Sequence, residues 1–207
     1  MRVLIADDHP LIRSAMKLLM ESQGHEVMAE AGCGSDAVQL ARTHHVDLII
    51  LDITMPGLDG LEVINRIRAA EVKSRILVVT SQSPLFYSQR SMKAGAAGFI
   101  TKSQDLTELM RAVKVIMDGY TFFPFLAASS VRSSDASMSD IELIQNLSTR
   151  ELYILQQLAR GLSNKKIAED MILSSKTIST YKARLIEKLN IKSVVYLADF
   201  AKRNDLI

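Results

Sequence analysis

In the first half of the chain, residues that could do chemistry together follow apolar runs. Asp7 and Asp8 directly follow Arg2–Ala6, Asp52 follows Asp47–Leu51, Thr80 ends Arg75–Thr80, and Lys102 follows Ala97–Thr101. If these runs are parallel strands, their ends share one sheet edge and the side chains converge. Singly, each has an ordinary use: acids after strands cap helices, and a lone Thr or Lys is a solvated group. Together they ask for more. Three carboxylates at one edge repel one another and demand a cation, and oxygen donors that leave positions for water suit Mg²⁺.

The elements that must position these residues are legible in the pattern. The runs, with Glu26–Ala31 as a further one, are short and often β-branched, and three are apolar at nearly every position. That suits strands buried on both faces of a parallel sheet. Helical spacing fills the gaps: Leu11, Ala15, Leu18 and Leu19; Ala37, Leu40 and Ala41; Leu61, Ile64 and Ile67; Leu106, Leu109, Val113 and Ile116. Alternation of this kind predicts a five-stranded, doubly wound α/β domain over residues 1–119, with ligands at the carboxyl ends of its strands.

The pattern then fails. Tyr120–Pro124 is apolar without period, and Ala128–Asp140 is rich in Ser, Ala and Asp, so residues 120–146 read as a linker, partly packed at its aromatic start. From Leu147 helical signals return. Ser148–Glu151 can cap one helix, which stops at Gly161; Ser163 or Asn164 caps a second, Lys165–Met171. Ser174 or Ser175 caps a third, running to about Leu189, and a fourth covers roughly Ser193–Lys202. Residues 147–207 are therefore an all-α domain with a helix-turn-helix. In its third helix Ile178, Leu185 and Leu189 recur at core spacing. The remaining surface offers Lys176, Thr177, Ser179, Thr180, Lys182, Ala183, Arg184 and Lys188, a mixture of bases, hydroxyls and a small residue that suits a DNA major groove.

Charge divides along the same lines. The 207 residues carry a net +2, but residues 1–120 hold 13 Lys and Arg against 14 Asp and Glu, residues 121–146 hold 1 against 3, and residues 147–207 hold 11 against 6. A basic tail behind a non-basic domain points to nucleic acid. With 48% hydrophobic and 23% charged residues, the composition excludes disorder and small disulfide scaffolds. The single cysteine, Cys33, makes no internal disulfide and reads as structural or incidental, which favours a reducing compartment. No stretch approaches the roughly eighteen consecutive apolar residues of a membrane span, and no signal pattern precedes the first strand, so a cytoplasmic protein is expected.

The residues also resemble a known family. Asp7-Asp8, Asp52 with Met55-Pro56-Gly57, Thr80, and Gly98-Phe99-Ile100-Thr101-Lys102 resemble the receiver domain of bacterial response regulators. Leu147–Glu151, Gly161–Ala168, Ser174–Ile178 and Lys188-Leu189 resemble the LuxR-type helix-turn-helix. The combination is that of the NarL/FixJ class, and within it of regulators of the BvgA/EvgA kind. The resemblance implies that Asp52 accepts a phosphoryl group from a sensor histidine kinase. It implies that Asp8, Asp52 and the Thr54 carbonyl ligate Mg²⁺ with help from Asp7, and that Lys102 pairs with the phosphoryl group. Thr80 would move to hydrogen-bond that group and Phe99 would swing inward with it. The output would be double-stranded promoter DNA bound by a homodimer, with RNA polymerase a further candidate partner. Ser81, where the family usually has Ala, is a small departure that leaves room for the phosphoryl group.

Other readings fit less well. A dinucleotide site needs glycines in the first strand–helix turn, where this chain has Asp7-Asp8-His9-Pro10. A phosphatase of the haloacid dehalogenase type usually has a second acid two residues after its nucleophile, and here that position is Thr54. The four histidines suggest no metal set. An enzyme would need a catalytic output domain, for which sixty residues of helices leave no room. A receiver acting through protein contacts alone would have no use for a basic, capped helical tail.

Overall fold

The apolar runs fold into a five-stranded sheet: β1 (Arg2–Ala6), β2 (Glu26–Ala31), β3 (Leu48–Leu51), β4 (Arg75–Thr80) and β5 (Gly98–Thr101). All pairings are parallel, and the order across the sheet is β2-β1-β3-β4-β5. Strands β3 and β5 begin one residue later than their apolar runs. The computed structural model describes residues 1–102, 106–124, 138–191 and 193–207. They divide into two units, Met1–Ser130 and Val131–Ile207.

In the first unit the crossovers are α1 (Pro10–Ser22), α2 (Gly34–Thr43), α3 (Gly60–Ala69) and α4 (Pro84–Ala94), and α5 (Leu106–Met117) follows β5. Strands β1 and β3 are buried almost throughout, because helices cover both faces as parallel strands require. Helix α1 departs from the face drawn from sequence. Leu11 is 86% exposed and Leu18 69% exposed, whereas Met16 and Met20 are buried and Ile12 and Leu19 pack beside them. Two apolar stripes run along this helix at helical spacing, and the core takes the one carrying the methionines.

The second unit contains α6 (Met138–Gln145), α7 (Thr149–Ala159), α8 (Asn164–Met171), α9 (Ser175–Lys188) and α10 (Val195–Arg203). Helix α6 falls in the stretch expected as linker. It is held by Asp140, whose Oδ2 accepts from Arg203 Nε at 3.0 Å and Asn204 Nδ2 at 3.2 Å, while Ile144 is fully buried. Residues 125–137 of that stretch lie outside the described residues. The helix starts follow the caps read from sequence: the hydroxyls of Ser148, Ser163 and Ser174 accept from the amides of Glu151, Lys166 and Thr177. Glu151 reaches back to the Ser148 amide, which closes a capping box. Ile178, Leu185 and Leu189 form the buried side of α9.

Candidate functional site

Because the strand order reverses between β1 and β3, the helices leaving those strands lie on opposite faces and a crevice opens at their carboxyl ends. Asp7 and Asp8 leave β1 there, and Asp52 leaves β3. Asp7 is fully buried and Asp52 is 3% exposed. Helix α3 begins so close to this edge that a Cβ on Gly60 would collide with the Asp52 carbonyl and lie 2.7 Å from the Ile53 Cα. The Lys102 ammonium lies between two carboxylates, 2.7 Å from Asp52 Oδ2 and 2.8 Å from Asp7 Oδ2. Its backbone N–H donates to the Thr80 carbonyl at 2.8 Å, tying the end of β5 to the end of β4. The Thr54 amide donates to Asp52 Oδ1 at 3.2 Å. Asp52, Lys102, Thr80, Thr54, Asp7 and Asp8 thus meet around one crevice.

Burial pushes the Asp52 carboxyl up from its ordinary pKa, and this outweighs Lys102 and the hydrogen bonds from Thr80 and Thr54. For Lys102 the balance runs the other way: burial would lower it, but Asp52 and Asp7 together hold it above the ordinary lysine value. Thr80 is fully buried, its hydroxyl accepts from the Gln82 amide at 3.3 Å, and Phe99 on β5 is 2% exposed. Both residues expected to act as the switch are buried in this structure.

The pocket also contains groups that the sequence reading did not assign. Gln82 donates from Nε2 to Thr54 Oγ1 at 2.9 Å and from its backbone to Thr80 Oγ1 at 3.3 Å, bridging the ends of β3 and β4. Arg13 donates to the Asp7 carbonyl at 2.7 Å. His9 sets its Nδ1 2.8 Å from Asp8 Oδ1, a pairing that is ionic only while the imidazole is protonated. Asp7, Asp8, His9 and Asp52 can each bring a ligand atom within 4.8 Å of the others, so the cluster could hold a metal ion. Asp8 Oδ1 is buried with no hydrogen bond of good geometry. Three carboxylates face one ammonium, and their oxygens are hard donors that fit a small divalent cation.

On α9, Lys176, Ser179, Thr180, Ala183, Arg184 and Lys188 are exposed, and Thr177 and Lys182 are half-buried. Among the described residues, Lys176, Lys182 and Arg184 carry no ion pair. Lys188 differs from them. Its ammonium lies 2.8 Å from Glu151 Oε2, on a carboxylate that is itself buried within the α7 cap. Burial alone would push Glu151 up, but Lys188 and Ser148 hold it below the ordinary glutamate value. Ser179 is also committed, donating to the Ser175 carbonyl at 3.0 Å and accepting from Asn164 Nδ2 at 3.1 Å. Thr180 donates to the Lys176 carbonyl at 3.2 Å, which leaves its methyl group and free lone pairs on the surface.

Residues 3–114 match the response regulator receiver domain family, and residues 145–201 match the bacterial regulatory proteins of the luxR family. The chain belongs to the response-regulator family. It joins a receiver domain to a LuxR-type DNA-binding domain, the NarL/FixJ arrangement, and that family is one of DNA-binding regulators rather than enzymes. It is 49% identical to the virulence transcription regulator BvgA of Bordetella pertussis over 205 residues, 99% of this chain and 98% of that one. It is 35% identical to the transcriptional activator EvgA of Escherichia coli over the whole of both chains. The fold is shared with the RcsB response regulator of Salmonella typhimurium, with a TM-score of 0.74, 24% identity, and 98% and 96% of the two chains covered. No helix among the described residues is long and apolar enough to cross a membrane.

Proposed function

We propose that this response regulator is a cytoplasmic transcription factor that a sensor histidine kinase switches by phosphorylating Asp52. The observation that carries the reading is Lys102 seated between Asp52 and Asp7 beside an acidic cluster able to hold a cation. In the reaction a carboxylate oxygen of Asp52 bonds to phosphorus as the donor's P–N bond breaks, and the departing imidazole takes up a proton. Lys102 neutralises the incoming phosphoryl oxygens, and the Thr80 hydroxyl donates to one of them once the group is bonded to Asp52. Asp8, Asp52 and the Thr54 carbonyl, with Asp7 beside them, are the groups that would hold Mg²⁺, which supplies further neutralisation of charge when bound.

Output is binding of α9 to the major groove of promoter DNA as a homodimer, because one small helical module contacts too little DNA for useful affinity. RNA polymerase is a further partner of the DNA-bound form. A gel shift on genomic fragments with and without acetyl phosphate, paired with sedimentation at matched concentration, tests this. The phosphorylated form should associate more strongly and shift specific fragments at lower concentration. Equal association and equal shifts would overturn the switch.

The roles of individual α9 residues separate in a salt titration on operator and scrambled DNA. Lys182→Ala should weaken binding to every sequence alike and lower the salt slope by about one per occupied site. Thr180→Ala should leave the slope intact and cost about 1–3 kcal/mol on the preferred operator only. Lys188→Ala, despite its place on the helix, should leave the slope unchanged and lower the stability of the second unit, since its ammonium is spent on Glu151. A lost unit of slope for Lys188→Ala would return it to the phosphate contacts.

A further inference from the structure

Strand β5 forms one outer edge of the sheet, and the chain itself comes back to cover it. After α5 the backbone turns at Gly119 and brings Phe122 alongside β5 in parallel. The Phe122 N–H donates to the Ala97 carbonyl and the Phe99 N–H donates to the Phe122 carbonyl, both at 2.9 Å, so two bonds clip Phe122 around Gly98. A side chain at position 98 would block this: its Cβ would lie 2.6 Å from Ile116 Cδ1 and 3.0 Å from the Phe122 carbonyl oxygen. The Phe122 ring packs against the core, with the Arg111 guanidinium 6.0 Å from its centre, and Phe123 beside it is buried. Residue 122 is therefore a single-residue bridge that straps the outer edge of β5, and the chain runs on in sequence toward the DNA-binding unit.

The strand that this segment grips is the strand that ends at the phosphorylation pocket. β5 has four residues and pairs with β4 on its other side from Leu77–Gly98 to Thr80–Thr101. Its next residue is Lys102. We infer that the Phe122 strap is the receiver's output connection, docking more firmly on Ala97 and Phe99 when Asp52 carries a phosphoryl group. The inference rests on Asp52 being the phosphoacceptor. A phosphoryl group presents more negative charge to Lys102 than a carboxylate does, so it anchors the end of β5 more tightly. A one-residue strand pair held by two hydrogen bonds belongs to the least stable elements of a domain, so a small bias from β5 decides whether it is docked. The state of the strap then fixes where the rigid receiver ends and the connecting segment begins.

Amide hydrogen exchange on the full-length protein reads the strap directly, because the donors of both bonds are backbone amides. With acetyl phosphate and Mg²⁺, exchange at Phe99 and Phe122 should slow by about fivefold or more, the lower end of typical coupling between sites. Phe122→Pro removes one donor. It should take up the phosphoryl group as the wild type does, while the ratio of DNA affinities with and without phosphorylation falls to about one. Phe122→Ala keeps both backbone bonds and should retain most of that ratio, which guards against a folding defect in the proline variant. Uptake of the phosphoryl group with unchanged exchange at both amides would overturn the inference alone. Absence of uptake by the wild type would overturn the phosphoacceptor reading and this one with it.

Discussion

Asp52→Asn, incubated with acetyl phosphate and Mg²⁺ and then weighed, should show no added phosphoryl group where the wild type shows one. Wild type treated with EDTA should match the variant. The amide keeps the shape of the side chain but loses the nucleophilic oxygen, and no other carboxylate in the crevice is equivalent. Asp7 is buried and bonded to Lys102, while its other oxygen accepts from the His9 amide at 2.9 Å. Asp8 lies on the half-exposed rim beside His9. The variant must also be shown to be folded, and electrostatics predicts that it is. Because burial raises the Asp52 pKa in the folded state, its ionised form works against folding. Stability tied to this group is fully present below the unfolded-state pKa of about 3.9 and is lost as pH rises through the raised folded value. Asp52→Asn should therefore be at least as stable as wild type at neutral pH without metal, and the advantage should vanish in acid. Labelling of the variant equal to wild type would place the phosphoacceptor elsewhere.

The site was legible in the sequence because each of its residues is fixed to a strand end, and buried parallel strands announce themselves by continuous apolar runs. The crevice follows from the strand order, which seats Asp7, Asp8 and Asp52 side by side. Position along a strand says nothing about what the rim contributes. Gln82 and His9 sit in loops, and only the folded chain shows Gln82 bridging Thr54 and Thr80, or His9 against Asp8. Periodicity also failed where burial and apolarity part company. Helix α4 buries Phe86 and Tyr87 together with Ser88 and Ser91, so it has no continuous apolar stripe to read. Helix α1 has two such stripes, and sequence cannot say which one the core takes. Helix α6 lies in a stretch whose Ser- and Asp-rich beginning resembles a linker, and its anchor, Asp140 to Arg203 and Asn204, spans more than sixty residues. On α9 the bases and hydroxyls were legible as a surface, but not that Ser179 and Lys188 are already engaged within the fold.

Lys102→Met should cost about 3–5 kcal/mol in urea unfolding of the receiver without metal, the usual penalty for removing one partner of a buried ion pair. Its side chain is 8% exposed and touches two carboxylates that are themselves almost wholly buried. Methionine replaces the stem but leaves Asp7, Asp8 and Asp52 with no ammonium among them. The sign is opposite to that of Asp52→Asn, although both substitutions break the same contact, because one removes a surplus anion and the other the cation that offsets it. Mg²⁺ should restore part of the loss, since an ion that binds only the folded state stabilises it by mass action. The recovery should exceed the gain that wild type shows at the same concentration, because the ion no longer competes with the ammonium for Asp52. Combining the two substitutions should cost less than Lys102→Met alone, since the double variant carries one fewer uncompensated carboxylate. A Lys102→Met protein as stable as wild type in EDTA would mean that water already screens the cluster and that Lys102 is not what holds these carboxylates together.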